Sequence, residues 1–265
     1  MTEQAQEQKQ EQTQEKVEPR NRYCVIGFPT YGMMMHYGAA AAPLNVGNVR
    51  TIIEWSHRSL LANNFNYLMC RAFLRMREDS RITHFCLHHA DVHICTPKWL
   101  EKMFAIQEEH RFAALSVTMP IKTNEGLTST AVNMGNGPRR ITLTECAELP
   151  DPITPATVKE KFGSDRLLIN TGLLLVDMRK INPLRHYFNI TDWVEEVNGN
   201  YRPRCMPEDW DFSEKLNKDG LRYGATRQIV ANHWGQMAWD NQNTYGQESD
   251  QQWLRENKPS ENQNT

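Results

Sequence analysis

The chain has 265 residues, with 30 Lys and Arg against 32 Asp and Glu, and a formal net charge of −2. That near-balance does not imply a general affinity for nucleic acid or anionic membrane, and the length suffices for one large domain or two small ones. Six cysteines (Cys24, Cys70, Cys86, Cys95, Cys146, Cys205) show neither a CxxC pair nor a disulfide-framework spacing, which fits reduced thiols in a cytoplasm. With no charged-then-apolar leader and no apolar run approaching ~18 residues, neither secretion nor a membrane span is expected.

Residues 1–20 read MTEQAQEQKQEQTQEKVEPR, with Gln at every even position from 4 to 14. Such a segment buries too little apolar area to offset its ordering entropy, so a disordered tail is expected. The polar residues 246–265 form a second tail, which leaves 21–245 as the folded unit. YCVIGFP (23–29) predicts a first strand closed by a proline. Residues 59–77 carry Leu61, Phe65, Leu68 and Ala72 at helical spacing, one buried stripe. RITHFCLHHAD predicts the next strand. TPKWLEKMFAIQEEH then predicts a helix with Thr96 as N-cap and Pro97 at the first helical position. FAALSVTM (112–119), ITLTEC (141–146) and LLINTGLLLVDM (167–178) read as further strands, with a long functional loop expected over 121–140. PEDWDFSEKLNKDG predicts a capped helix ending at Gly220, and LRYGATRQIVAN a late strand. Strands alternating with helices imply an α/β layer fold with a mostly parallel sheet, which binds ligands beyond the carboxyl ends of its strands.

One such end carries the most chemistry. THFCLHHADVHICTP (83–97) begins as an apolar strand and then places His88, His89, Asp91 and His93 within six residues. In extended chain Asp91 and His93 point the same way, and Val92 and Ile94 point into packing. One carboxylate and one imidazole suit manganese, and also cobalt, iron or zinc, whereas magnesium prefers oxygen alone. His233 in ANHWG follows the late strand and supplies a third ligand. For His88 and His89 the ordinary reading is a satisfied polar residue, since at least one must face the core or the next strand.

FCLHHADVHICTPKWLEKMF resembles the segment of GT-A glycosyltransferases in which a strand ends in a DxD motif followed by a proline and a helix. Here the second acid is replaced, giving Asp91-Val92-His93, and the pattern is similar to that of the polypeptide N-acetylgalactosaminyltransferases, which use an Asp-x-His pair and a later histidine. YCVIGFPTYG resembles the first strand and base-binding turn of the same family. LLINTGLLLVDMRKINP resembles the segment beneath sugar and acceptor, and PEDWDFSEKLNKDGLRYG the acidic helix start near the reaction centre. The matches run from about 23 to 235. The resemblance implies a single GT-A domain with a Rossmann-like, mostly parallel mixed sheet flanked by helices. It implies a hexosyltransferase-class enzyme that takes a nucleotide-diphosphate sugar, UDP-linked, with a divalent ion held by Asp91, His93 and His233. Pro29, Thr30 and Tyr31 would form the base-binding turn, and Asn170, Thr171 and Gly172 would border the sugar. Arg71, which shares a helix flank with Asn64, would reach the nucleotide, although a solvated helix arginine is the commoner state.

Glu208 and Asp209 open the late helix, where the dipole and free amides favour ionised carboxylates. One of them has an ordinary role as a cap. In an inverting reaction the other, Asp209 by the motif, takes the proton of the acceptor hydroxyl. In a retaining reaction the pair holds hydroxyls instead. Trp210 reads equally as a sugar platform or as core. Arg139 and Arg140 suit a phosphate-bearing acceptor or plain solvent exposure, and glycan, protein, small-molecule and nucleic-acid acceptors all stay open. Two other functions fit parts of the pattern. His89-Ala90-Asp91 with His233 matches the HxD…H triad of iron(II), 2-oxoglutarate oxygenases, which are all-β proteins. A non-catalytic nucleotide or sugar binder of the same fold is the third reading.

Overall fold

Three apolar runs with both faces covered set the centre of the molecule. The computed structural model describes residues 22–30, 34–123, 125–235 and 238–240. Both expected tails and Tyr31 lie outside the described residues. In chain order the elements are β1 (Arg22–Pro29), α1 (Tyr37–Ala41), β2 (Val49–Ser56), α2 (Leu61–Glu78), β3 (Ile82–His88), β4 (Val92–Ile94), α3 (Trp99–His110) and β5 (Ala114–Val117). Then come β6 (Leu127–Asn133), β7 (Pro138–Thr142), α4 (Leu143–Glu148), α5 (Pro155–Phe162), β8 (Leu167–Leu168) and β9 (Leu173–Asp177). The chain continues through β10 (Thr191–Val197), β11 (Asn200–Met206), α6 (Glu208–Lys218), β12 (Tyr223–Thr226), β13 (Ala231–Trp234) and β14 (Ala238–Asp240).

Six strands form the main sheet in the order β12-β5-β9-β3-β1-β2. β1 runs parallel to β2 and β3, and β12 to β5, while β9 is antiparallel to both β3 and β5. The sheet is therefore mixed and mostly parallel. Strand alternation sorts its side chains onto two faces. Val25, Phe85, Leu87, Leu174 and Val176 join Phe65, Leu68, Met69 and Ala72 of α2 on one side. Ile26, Phe28, Cys86, Leu173 and Leu175 join Trp99, Leu100, Met103 and Phe104 of α3 on the other. The helical stripe expected at 59–77 is thus the stripe that α2 buries. A mixed sheet between helices is not the all-β double-stranded helix of the oxygenases, which sets that alternative aside. None of the six cysteines forms a disulfide. Among the described residues no helix is long and apolar enough to cross a membrane.

Several local expectations change. ITLTEC is not a strand throughout: the chain leaves β7 at Thr142, whose hydroxyl accepts from Glu145 N while Glu145 bonds back, a capping box that starts α4. The expected loop 121–140 is mostly the β6–β7 hairpin, turned by Gly135 (φ +87) and Gly137 (φ +141). LLINTGLLLVDM splits into β8 and β9 around the Asn170–Gly172 turn. α3 begins later than expected, at Trp99 after a left-handed Lys98, and Thr96 does not cap it. The Thr96 hydroxyl instead accepts from Val230 N at 2.7 Å, tying the segment after β4 to the segment before β13.

Candidate functional site

The parallel strands β1, β3 and β5 end at one edge, and the polar cluster lies there. After β3 the chain turns: His89 N donates to Gly172 O at 2.9 Å and Val92 N to His89 O at 3.1 Å. Asp91 sits in this turn, and β4 then pairs antiparallel with β13, with Val92 opposite His233 and Trp234 N donating to Asp91 O at 2.8 Å. That register brings a residue from the far end of the chain to 3.7 Å, measured from His233 Nε2 to Asp91 Oδ2. His233 Nδ1 lies 3.0 Å from Pro120 O. A carbonyl only accepts, so Nδ1 donates to it, and the other ring nitrogen, Nε2, faces the carboxylate. A carboxylate and an imidazole set face to face are a ligand pair of the kind that holds a divalent ion, and the Nδ1–carbonyl bond is the usual support of a metal-binding imidazole.

Two cationic or polarisable neighbours join them. Lys122 pairs with Asp91. The His89 ring is buried against Phe65, with centroids 5.1 Å apart, and its Nε2 has no hydrogen-bond partner among the described residues. Burial pulls the His89 pKa down to about 4, so it stays neutral. Burial also opposes the charge on Asp91, but His233, His89 and Lys122 outweigh it and hold the carboxyl well below its usual range. Among the described residues no three or more His, Cys, Asp or Glu are grouped to hold a metal ion.

His93 is placed elsewhere. Because Asp91 lies in a turn and not in β4, the two-residue alternation expected to align Asp91 with His93 does not operate. A Cβ on Gly38 would stand 2.4 Å from His93 Cγ, so the ring is seated on α1, between His36 and Tyr37 with centroids 6.0 and 5.9 Å away. His88 is core: its ring meets Phe28 edge-on at 4.8 Å and burial drops its pKa to about 3.

The expected base-binding turn is partly used by the fold. Pro29 ends β1, and Thr30 spends both its N–H and its hydroxyl on Ser56 O, at 2.8 and 3.2 Å. Arg71 is engaged by Glu54 at 3.3 Å, alongside Arg75, so the structure gives it an ion-pair role on the flank of α2. Asn64 Nδ2 lies 3.4 Å from Ser56 O, while its buried Oδ1 has no partner among the described residues.

Residues 169–172 join the Asp91 turn to the acid pair. At one end Gly172 O receives His89 N; at the other Ile169 N donates to Ser213 Oγ of α6 at 3.0 Å, and that hydroxyl donates to Asp209 O at 2.8 Å. Asn170 holds the segment, donating to Val117 O at 2.8 Å and accepting from Gly172 N at 3.0 Å, and Thr171 is buried. A Cβ on Gly172 would lie 3.1 Å from Asn170 Oδ1 and 3.2 Å from Met119 Cγ, so the glycine serves close packing within the protein.

Glu208 and Asp209 open α6 as expected, and Pro207, not either acid, is the N-cap. Burial, then the neighbouring Glu208 charge, pushes the Asp209 carboxyl up to about 8; burial likewise raises Glu208. Trp210 is largely buried: it packs with Ala131 and Leu168, its indole N–H donates to Ser129 O at 3.2 Å, and the Arg140 guanidinium covers its ring at 4.9 Å. Arg139 pairs with Glu145 and lies over Phe162. Beside the acid pair a cavity of about 790 Å³ opens between the β6–β7 turn and the β10–β11 hairpin. Lys122, the cavity and the β10–β11 hairpin were not anticipated from sequence. The Asn198-Gly199 pair is the signal for the hairpin, since both residues take positive φ (52° and 76°) as a two-residue primed turn requires.

No protein-family model matches the chain, and no curated protein matches it. Among solved structures, the crystal structure of A197 from STIV is similar with a TM-score of 0.49 at 13% identity, over 80% of this chain and 86% of that chain.

Proposed function

We propose that this chain is a glycosyltransferase of GT-A type that moves a sugar from a nucleotide-diphosphate sugar, UDP-linked, to an acceptor hydroxyl, using a divalent ion of which manganese suits the ligands best. The observation that carries this reading is the β4–β13 register, which sets Nε2 of His233 3.7 Å from the Asp91 carboxylate at the carboxyl edge of the sheet. Asp91 and His233 would hold the ion, and the donor's phosphates would supply further ligands. When bound, the ion offers Lewis-acid stabilisation of charge on the departing diphosphate. Lys122, which pairs with the same carboxylate, would add a positive charge beside the phosphates. Asp209, whose carboxyl titrates at about 8, takes the proton from the acceptor hydroxyl once deprotonated. That role belongs to an inverting reaction, and NMR of the new anomeric linkage reads it directly.

Titration calorimetry of UDP in the presence of manganese tests the metal site. Asp91→Ala abolishes the ion-dependent affinity, since it removes the only full negative charge of the ligand pair, and His233→Ala weakens it by less. His93→Ala, whose ring is seated on α1, leaves it near wild type. Unaltered affinity in Asp91→Ala ends this reading.

A further inference from the structure

We infer that the cavity between the β6–β7 turn and the β10–β11 hairpin is the acceptor subsite and that it takes a neutral saccharide, with Trp193 as its platform. The word acceptor rests on the transferase reading above; the saccharide chemistry rests on the cavity alone.

Position comes first. Ile121 lines the cavity, and the next residue, Lys122, pairs with Asp91. Met206 and Trp210 line it as well, and Glu208 and Asp209 lie between them in the chain. The cavity wall is thus continuous along the chain with both the Asp91–Lys122 pair and the start of α6. Its volume of about 790 Å³ is within the range of about 300–1,000 Å³ usual for small-molecule sites.

The chemistry comes from strand alternation. With Trp193 opposite Arg204 and Thr191 opposite Met206, one face of the hairpin carries Trp193, Glu195, Arg204 and Met206, which line the cavity together with Pro203 and Cys205 of β11. The Trp193 side chain is 44% exposed, so its ring is available. Arg204 and Glu195 hold each other at 2.6 Å, which fixes a donor fork and a carboxylate beside the indole. A pyranose has one face of C–H bonds and a rim of hydroxyls that both donate and accept. An exposed indole next to a fixed guanidinium–carboxylate pair matches that division.

Other occupants match less well. Two of the three guanidiniums that line the cavity are neutralised by protein carboxylates, Arg204 by Glu195 and Arg166 by Glu214 at 2.7 Å, and the third, Arg140, lies over Trp210. A polyanion such as nucleic acid finds one guanidinium outside an ion pair there, too few for a phosphate backbone.

The test is a broad array of defined glycans probed with the labelled full chain, with UDP and manganese present. Wild type binds a structurally related subset. Trp193→Ala lowers that signal tenfold or more while its melting temperature holds, and Trp193→Phe, which keeps an aromatic face, restores most of it. Tyr201→Ala, on the opposite face of the hairpin and 76% exposed, binds as wild type. No glycan above background, or an equal signal from Trp193→Ala, overturns the inference. Glycan binding without any UDP–manganese binding keeps the saccharide site and removes the transferase reading; UDP–manganese binding without glycan binding does the reverse.

Discussion

The central sheet and the cavity walls are held by different forces. β1, β3 and β9 are apolar on both faces and sit between α2 and α3, so burial alone fixes them. The β10–β11 hairpin is exposed along most of its length, with Val194 at 67% and Tyr201 at 76%, and is held in shape by its turn and the Glu195–Arg204 pair. A scaffold fixed by non-directional burial tolerates a wall fixed by turns and charges, because the wall can change without unfolding the sheet. Function should therefore concentrate in the walls and edges, and stability in the sheet.

The largest expected effect lies where the two regions meet. Asp209→Asn cuts transfer by ~10²- to 10⁴-fold while UDP–manganese affinity holds, the usual worth of a positioned proton acceptor. Transfer by the wild type rises as pH climbs through about 8, where Asp209 loses its proton, and the variant loses that rise. Stability runs the opposite way. The folded carboxyl titrates at about 8 against 3.8 ordinarily, so between those values the native state keeps a proton that the unfolded chain has released. Its contribution to stability therefore falls as pH rises across that window, and Asp209→Asn flattens the slope in denaturant melts. An unchanged transfer rate in Asp209→Asn shifts attention to Glu208.

The next effect contrasts core with wall in stability. Phe85→Ala, in the fully buried centre of β3, costs about 3–5 kcal/mol in urea unfolding, and Val194→Ala stays within about 0.5 kcal/mol. A similar cost at both positions would mean the hairpin packs as core. A smaller effect sharpens the boundary at the sheet's far edge. A Cβ on Gly224 of β12 would lie 2.7 Å from Ile153 O, a backbone atom that cannot step aside. Gly224→Ala therefore destabilises by about 1–3 kcal/mol, read as a lower melting temperature.

Legibility in sequence followed the same division. Apolar runs and the 3.6-residue stripe gave β1, α2, β3, β5, β9 and α6, because burial leaves a periodic signature. The edge strand β2 was missed: VRTIIEWS is only partly buried and shows no clean alternation. The β6–β7 hairpin was read as a loop because its glycines, which punctuate a turn, were taken as marking the whole segment. Sequence leaves Arg71 between ligand and solvent and Trp210 between platform and core, because their partners, Glu54 for one and Ala131, Leu168 and Arg140 for the other, are invisible without the fold.

By itself the sequence determined that this chain builds a mostly parallel α/β sheet with a polar, metal-capable cluster at the end of one strand. It determined that because apolar period and the abrupt run His88, His89, Asp91, His93 are local properties of the chain. Which histidine meets Asp91 was decided only by tertiary structure. The turn at Ala90–Asp91 breaks the alternation that would align His93, and the antiparallel pairing of β4 with β13 supplies His233 in its place. Strand register across a long sequence separation is set by packing of the whole sheet, and no local pattern encodes it.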